Sequence, residues 1–333
     1  MRIVAALGGN ALLERGERPD AAIQLRHIRR AAAVLAPLAA DYELIICHGN
    51  GPQVGMLALE SEADAQLSTP YPLDVLVAQT QGMIGYWLTQ ELRNTGLKKH
   101  PVALLTQTVV DPDDPAFHDP TKFIGAVYAQ DEADLLASAH GWTIKPDGPY
   151  WRRVVASPEP IGIVELAAIH DLAFHDAVVV CGGGGGAAVV RDGDGRLSGV
   201  EAIVDKDLTS EFLARELNAD LLLVLTDVVA VMRDFGTPQA APIAEIDVDE
   251  LRMMSFPTGS MGPKIDACAR FVEHSGKRAA IGALDDAVEI VAGRAGTTIT
   301  ATAAQQHRVA AVQGSAAVQG GAATSDREIR ETR

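Results

Sequence analysis

The sequence predicts an α/β protein with an open sheet that binds its ligand at the strand ends, and three observations carry that reading. Short aliphatic runs at 2–7, 42–47, 102–110, 178–180, 200–204, 221–225, 279–282 and 297–300 have the length and content of buried strands. Between them, apolar residues recur at helical spacing over 20–40, 75–92, 163–175, 208–217 and 265–273. Several strands run straight into glycine, which in open α/β sheets marks turns that face a ligand.

Taken in order, the first strand ends in Gly8-Gly9-Asn10, a weak signal alone because paired glycines end strands in many settings. Ile23, His27, Ala31, Val34, Leu35 and Leu38 then define a surface helix with Arg26, Arg29 and Arg30 on its other faces. The second strand leads into His48-Gly49-Asn50-Gly51-Pro52. Pro52 suits a first helical turn, and the backbone N–H groups there are free for an anion. His48 reads as a general base or as a structural hydrogen-bonding residue, and a lone histidine beside glycines favours the second. Met83, Ile84, Trp87, Leu88 and Leu92 form a stripe suited to the core or to a subunit contact. After the third strand the chain turns rich in Asp and Pro. The stretch 116–160 has no long apolar run and reads as an inserted lid subdomain. Lys122, beside a turn, and Arg152 and Arg153, next to Trp151, are its candidate ligand contacts, with a solvated loop of incidental charge as the plain alternative.

The segment 178–190, VVVCGGGGGAAVV, is the most unusual stretch. Five consecutive glycines are costly in conformational entropy and allow another group to come very close to the backbone. A flexible linker is the alternative, but the apolar runs on both sides and the downstream cluster Asp205-Lys206-Asp207 argue against it. No Gly-Lys-Ser/Thr follows the glycines, so a Walker phosphate loop is excluded. Asp205-Lys206-Asp207 stands where a strand-like run meets a helix, and it is the strongest site reading from residues alone. The strand 221–225 ends in Thr226-Asp227. Gly259-Ser260-Met261-Gly262-Pro263-Lys264 precedes the helix 265–273 and offers free amides and a lysine at its start.

Composition sets the outer limits. A chain of 333 residues holds one large or two ordinary domains, with two lobes expected. Its net charge of −16 would repel nucleic acid and anionic membranes, so any handling of phosphate must rest on local positive charge. Only seven of the 28 basic residues are lysine, which makes Lys122, Lys206 and Lys264 informative. No apolar stretch approaches the roughly 20 residues of a bilayer crossing, and Cys47, Cys181 and Cys268 are too few and too scattered for a disulfide framework. A cytoplasmic protein with reduced thiols is expected.

Glycine-flanked strand ends and three lysines, with no His/Cys metal set and no serine-histidine-aspartate elbow, describe a phosphoryl-transfer site, which needs positioning and charge neutralisation. The blocks ALGGNAL, HGNGPQVG, TQGMIGYW, PTKFIG, VVCGGGGG, VEAIVDKD and GSMGPKIDA, in this order over about residues 3 to 300, resemble the carbamate kinases of the amino acid kinase family.

That resemblance implies a three-layer αβα sandwich around a mostly parallel central sheet, with a small protruding lid subdomain at about 116–160. It further implies an acceptor lobe at 1–207, a nucleotide lobe at 208–313 and a homodimer, while the Ala, Gly, Gln and charge of 314–333 read as a disordered tail on composition. The substrates would be ATP or ADP with carbamate or carbamoyl phosphate, and Mg2+ would be carried by the nucleotide with no metal site of the protein's own. On matching positions, Gly8, Gly9, Asn10, Gly49, Asn50, Gly51, Gly182 and Gly183 would lie at the phosphate and carbamate. Lys122, Lys206, Asp207 and Lys264 would be catalytic, with Asp207 holding the lysines, and Thr226, Asp227, Met261 and Pro263 would fall near the nucleotide. Two departures from the family pattern stand out: Phe123 follows the lid lysine where proline is common, and Val229 replaces a frequent aspartate after Thr226-Asp227-Val228. The alternatives are a kinase of the same family acting on acetylglutamate, glutamate or UMP, and a non-catalytic nucleotide-binding regulatory protein.

Overall fold

Strands buried on both faces form the centre of the molecule. The computed structural model describes residues 1–14, 16–256, 261–306 and 308. The expected tail from 314 onward, and Gly259 and Ser260, lie outside the described residues.

The first half supplies β1 (Arg2–Leu7), β2 (Glu43–His48), β3 (His100–Ala103), β4 (Gln107–Val110), β5 (Lys122–Tyr128), β6 (Thr143–Asp147), β7 (Tyr150–Val155) and β8 (Pro160–Ile163). The second half supplies β9 (Ala177–Val180), β10 (Ala187–Arg191), β11 (Leu197–Ile203), β12 (Leu221–Thr226), β13 (Met232–Arg233), β14 (Ala241–Pro242), β15 (Glu245–Asp247), β16 (Arg278–Ala283) and β17 (Thr297–Thr300). The helices are α1 (Ala21–Asp41), α2 (Gly51–Ala63), α3 (Leu73–Asn94), α4 (Gln130–His140), α5 (Leu166–Phe174), α6 (Lys206–Glu216), α7 (Val248–Met253), α8 (Met261–Ser275) and α9 (Ala287–Val291).

Eight strands make the main sheet, in the order β15-β17-β16-β12-β1-β2-β9-β3. Pairing is parallel from β16 through to β3, and the sheet turns antiparallel at β16–β17. Period-two alternation sends Ile3, Ala5 and Leu7 to one face, against Ile28 and Leu35 of α1 and Ile84 and Leu88 of α3. Val4 and Ala6 go to the other face, with Leu213 of α6 and Phe271 and Val272 of α8. The result is a three-layer αβα sandwich. Strands with both faces covered read as continuous aliphatic runs, and this is why they stand out in the sequence.

A second sheet, β11-β10-β4-β8, lies apart from the main one. Two sequence expectations change here. The single strand expected over 102–110 is two strands, because the chain leaves the main sheet after Ala103 and Gln107–Val110 pairs with β10 and β8 instead. The strand that delivers Asp205 belongs to this second sheet, so the acid–base cluster does not stand at the end of a main-sheet strand. The inserted segment is ordered as a three-stranded antiparallel sheet, β5-β7-β6, with α4 against it. It packs on α2 where Gly55 and Gly125 meet backbone to backbone; a Cβ on Gly55 would lie 2.6 Å from Gly125 Cα.

Candidate active site

Sheet order alone indicates where a ligand belongs. β1 has β2 on one side and β12 on the other, so the direction of winding reverses between β1 and β12, and the crevice lies beyond their carboxyl ends. Gly8-Gly9 follows β1, Gly49 to Gly51 follow β2, Cys181 and the glycines follow β9, and Thr226-Asp227 closes β12. Gly8 N–H donates to Leu225 C=O at 2.8 Å, which fastens the first turn to the end of β12. Gly49 lies under Gly9, with a Cβ on it reaching within 2.9 Å of Gly9 N. Asn10 is in the short turn Gly9–Ala11, and Asn50 occupies the N-cap position of α2 with no capping bond from its side chain.

Lysines converge on this rim from three elements. Asp207, in the first turn of α6, is 3% exposed and takes Lys206 Nζ on one carboxylate oxygen and Lys264 Nζ on the other, the latter at 3.0 Å. Lys264 comes from the first turn of α8, so two helix N-termini meet at one carboxylate. Burial alone would raise the Asp207 pKa, but Lys206 and Lys264 outweigh it and hold the group below the ordinary carboxylate range. Burial, with the repulsion of Lys264, lowers Lys206. Lys264 is raised: burial works against its charge, but Asp207, Asp205 and Asp227 over-compensate. Lys122 opens β5 and pairs with Asp205 at 2.5 Å. Phe123 continues that strand opposite Val154, and this fixes Lys122 at its start.

The five glycines form a wall. A Cβ on Gly183 would sit 2.4 Å from His48 Nε2, on Gly184 2.1 Å from Asn50 Nδ2, and on Gly185 2.1 Å from Val204 C=O. Gly182 and Gly183, placed with the phosphate by the family resemblance, face protein. The Gly182 amide donates to Thr106 Oγ1 at 2.9 Å, and the His48 ring fills the space beside Gly183. His48 itself is buried and neutral at pH 7. Burial, assisted by the charge of Lys206, brings its pKa down to about 4 against the pull of the Gly49 carbonyl, 2.9 Å from Nδ1. Enclosure by the glycine wall and the contact with the Gly49 carbonyl suit the structural reading of this histidine.

On the nucleotide side, Thr226 Oγ1 donates to Asp227 Oδ1 at 3.0 Å. Met261 and Pro263 are half-buried and lie inside α8, whose helical hydrogen bonding begins earlier than the expected 265. Proline is tolerated there because its missing N–H belongs to the first turn. A recess of about 500 Å³ beside Val110, Ile161 and Arg191 contains none of the site lysines, and the chemistry lies elsewhere.

The family model of the amino acid kinase family matches residues 1–283. The chain belongs to the amino acid kinase family. It is similar to the carbamate kinase of Rhizobium meliloti (strain 1021), with 49% identity over 305 residues covering 91% of this chain and 94% of that one. The carbamate kinase of Escherichia coli (strain K12) is 50% identical over 298 residues, 90% of this chain and 99% of that one. Among solved structures, carbamate kinase from Giardia lamblia bound to AMP-PNP superposes with a TM-score of 0.82 at 38% identity, covering 90% of this chain and 98% of that one.

Within this amino acid kinase, three features were missed in the sequence. Thr80 Oγ1 accepts from Asn50 Nδ2 at 2.8 Å and fixes that amide. Thr106 and Thr108 clamp the glycine wall, with Thr108 Oγ1 donating to Gly185 C=O at 2.7 Å. Asp205 was seen only as part of a charged cluster. Thr80 opens the block TQGMIGYW but was given no role there, Thr106 and Thr108 lie in a stretch with no local signal, and only the fold brings them to the glycines.

Proposed function

We infer that the chain is a carbamate kinase, which transfers a phosphoryl group reversibly: ATP + carbamate ⇌ ADP + carbamoyl phosphate. The observation that carries the reading is the buried carboxylate of Asp207 holding Lys206 and Lys264 beside the glycine loops of β1 and β2. Relatives named carbamate kinase, aligned over nine-tenths of the chain, set the acceptor.

In this mechanism the carbamate oxygen forms its bond to the γ-phosphorus as the bond from that phosphorus to the ADP oxygen breaks. Carbamate is already an anion, so no general base is needed. Asp207, with both oxygens engaged by lysines, organises charge and takes no proton. Lys206 and Lys264 would follow the phosphoryl group between donor and acceptor, and the amides of Gly9, Asn50 and Gly51 would hold its oxygens, since those of Gly8 and Gly49 already donate to Leu225 C=O and Leu7 C=O. Gly183 and Gly184 leave room for His48 and Asn50 behind the site, and Gly182 packs on Cys47 and Thr209. Thr226, Asp227, Met261 and Pro263 are assigned to the nucleotide side. A four-atom acceptor gains at most about −1.5 kcal/mol per atom, roughly −6 kcal/mol and a Kd of tens of micromolar, so specificity needs enclosure. Lys122 and the lid would provide it.

Mg2+ is proposed to arrive on the nucleotide. Asp205 and Asp207 are both occupied by lysines, and among the described residues no group of three or more His, Cys, Asp or Glu is placed to hold a metal. Those features suit an ion held by phosphates, where it offsets their charge during transfer. We further propose an acceptor lobe at 1–207 and a nucleotide lobe at 208–313, and a cytoplasmic homodimer. The buried free thiols of Cys47, Cys181 and Cys268 fit a reducing compartment, and Tyr86, 59% exposed on α3, offers apolar surface for a partner. No helix among the described residues is long and apolar enough to cross a membrane. ATP formation from ADP and carbamoyl phosphate, against acetylglutamate, glutamate and UMP in the forward direction, tests the function. Turnover on one of those three without any on carbamoyl phosphate would reassign the acceptor.

A further inference from the structure

We propose that Asp205 is a positioning residue that ties the lid lysine to the lysine clamp. Its two carboxylate oxygens do different work. Oδ2 receives Lys122 Nζ at 2.5 Å, while Oδ1 accepts the backbone N–H of Asp207 at 2.8 Å. One side chain, itself only 13% exposed, thus connects the first residue of β5 to the residue that holds Lys206 and Lys264.

The placement of the lid's stems gives this link its mechanical sense. Lys122 stands at the root of the lid, opposite Val155 on the returning strand. The next residue, Ala156, bridges to Ala202, and Ile203 N–H donates to Ala156 C=O at 2.9 Å. Both stems of the lid therefore run beside the end of β11, two residues before Asp205. A lysine brought there faces the same Asp205 carboxylate that feels the charge of Lys206, and without that carboxylate it would stand among cations alone. Asp205 supplies the opposite charge that holds it at the rim until a phosphoryl group arrives to share it. The lid then closes on a site whose third lysine is already in place.

A helix cap with no kinetic role is the competing explanation, and asparagine separates the two because it caps as well as aspartate while carrying no charge. The kinetic part of the proposal rests on the carbamate kinase reading; the pairing itself does not. The experiment compares full-length wild type, Asp205→Asn, Lys122→Ala and the double variant. The first readout is steady-state kinetics with carbamoyl phosphate and ADP, and the second is amide hydrogen exchange over 121–128 and 151–156. Asp205→Asn is expected to lower kcat/KM for carbamoyl phosphate by at least about tenfold, leave KM for ADP unchanged and speed exchange in both lid stems. The double variant is expected to match Lys122→Ala within about twofold, because the two residues act through one contact. Losses that multiply in the double variant, or an Asp205→Asn protein with wild-type kinetics and wild-type exchange, would overturn the proposal. If the wild type makes no ATP from carbamoyl phosphate the functional reading fails, and the exchange comparison alone then decides whether Asp205 holds the lid.

Discussion

A carboxylate that holds two ammonium groups leaves one positive charge in excess, and removing either lysine removes the excess that would meet a phosphoryl group. Lys206→Met and Lys264→Met are each expected to lower kcat by orders of magnitude while circular dichroism and the cooperativity of unfolding are preserved; near-normal turnover would remove these lysines from the transfer step. His48 leads to a pH effect. Its folded pKa is about 4 against an ordinary 6.5, so between those values the unfolded chain binds the proton and the folded protein does not. Stability therefore rises with pH through that window and falls on acidification, by on the order of 3 kcal/mol from this group. Urea titrations at several pH values on wild type and His48→Gln check it; the variant should show a shallower loss, and equal slopes would count against the buried neutral imidazole. At this scale the sequence was informative wherever chemistry was local. Asp205-Lys206-Asp207 and Lys264 were legible as charge at helix starts. The division of labour between Asp205 and Asp207 was not, because it depends on Lys122 arriving from 83 residues away.

Secondary structure elements were legible in proportion to how they are buried. β1, β2, β9 and β12 are covered on both faces and could be read as aliphatic runs. β3 and β4 merged into one because Leu104 and Leu105 continue the apolar pattern across the point where the chain changes sheets. β5, β6 and β7 went unseen because short, half-exposed strands carry little periodicity. The glycine wall offers a contrast that only the structure provides. Gly184 has φ +63° and a Cβ on it would strike the Asn50 amide, so Gly184→Ala is expected to cost more than about 2 kcal/mol in denaturant unfolding. Gly9 has nothing within 4 Å of its Cβ direction. Gly9→Ala should leave Tm nearly unchanged but weaken phosphate binding, seen as a raised KM; a large loss of Tm would mean that the turn is packed and not open to ligand.

For the molecule as a whole, an acidic chain gathers Lys122, Lys206 and Lys264 around Asp205 and Asp207, with the inserted subdomain rooted beside them. The expectation of an open α/β sheet was right in kind. A second sheet, carrying the strand into Asp205, was hidden because the β10–β11 hairpin joins it only through β4, whose pairing with β10 spans a long stretch of sequence and leaves no local trace. Lys122→Ala is expected to impair the acceptor side more than the nucleotide side, with KM for carbamoyl phosphate rising while KM for ADP holds; unchanged constants would take the lid out of the mechanism. The most direct test of the account is the initial rate of ATP formation from ADP, Mg2+ and carbamoyl phosphate, with wild type and Asp207→Asn measured side by side. The account predicts rapid ATP formation by the wild type and a rate lower by orders of magnitude in the variant at similar fold content. A wild-type protein that forms no ATP from carbamoyl phosphate, or an Asp207→Asn variant that keeps the full rate, would contradict it.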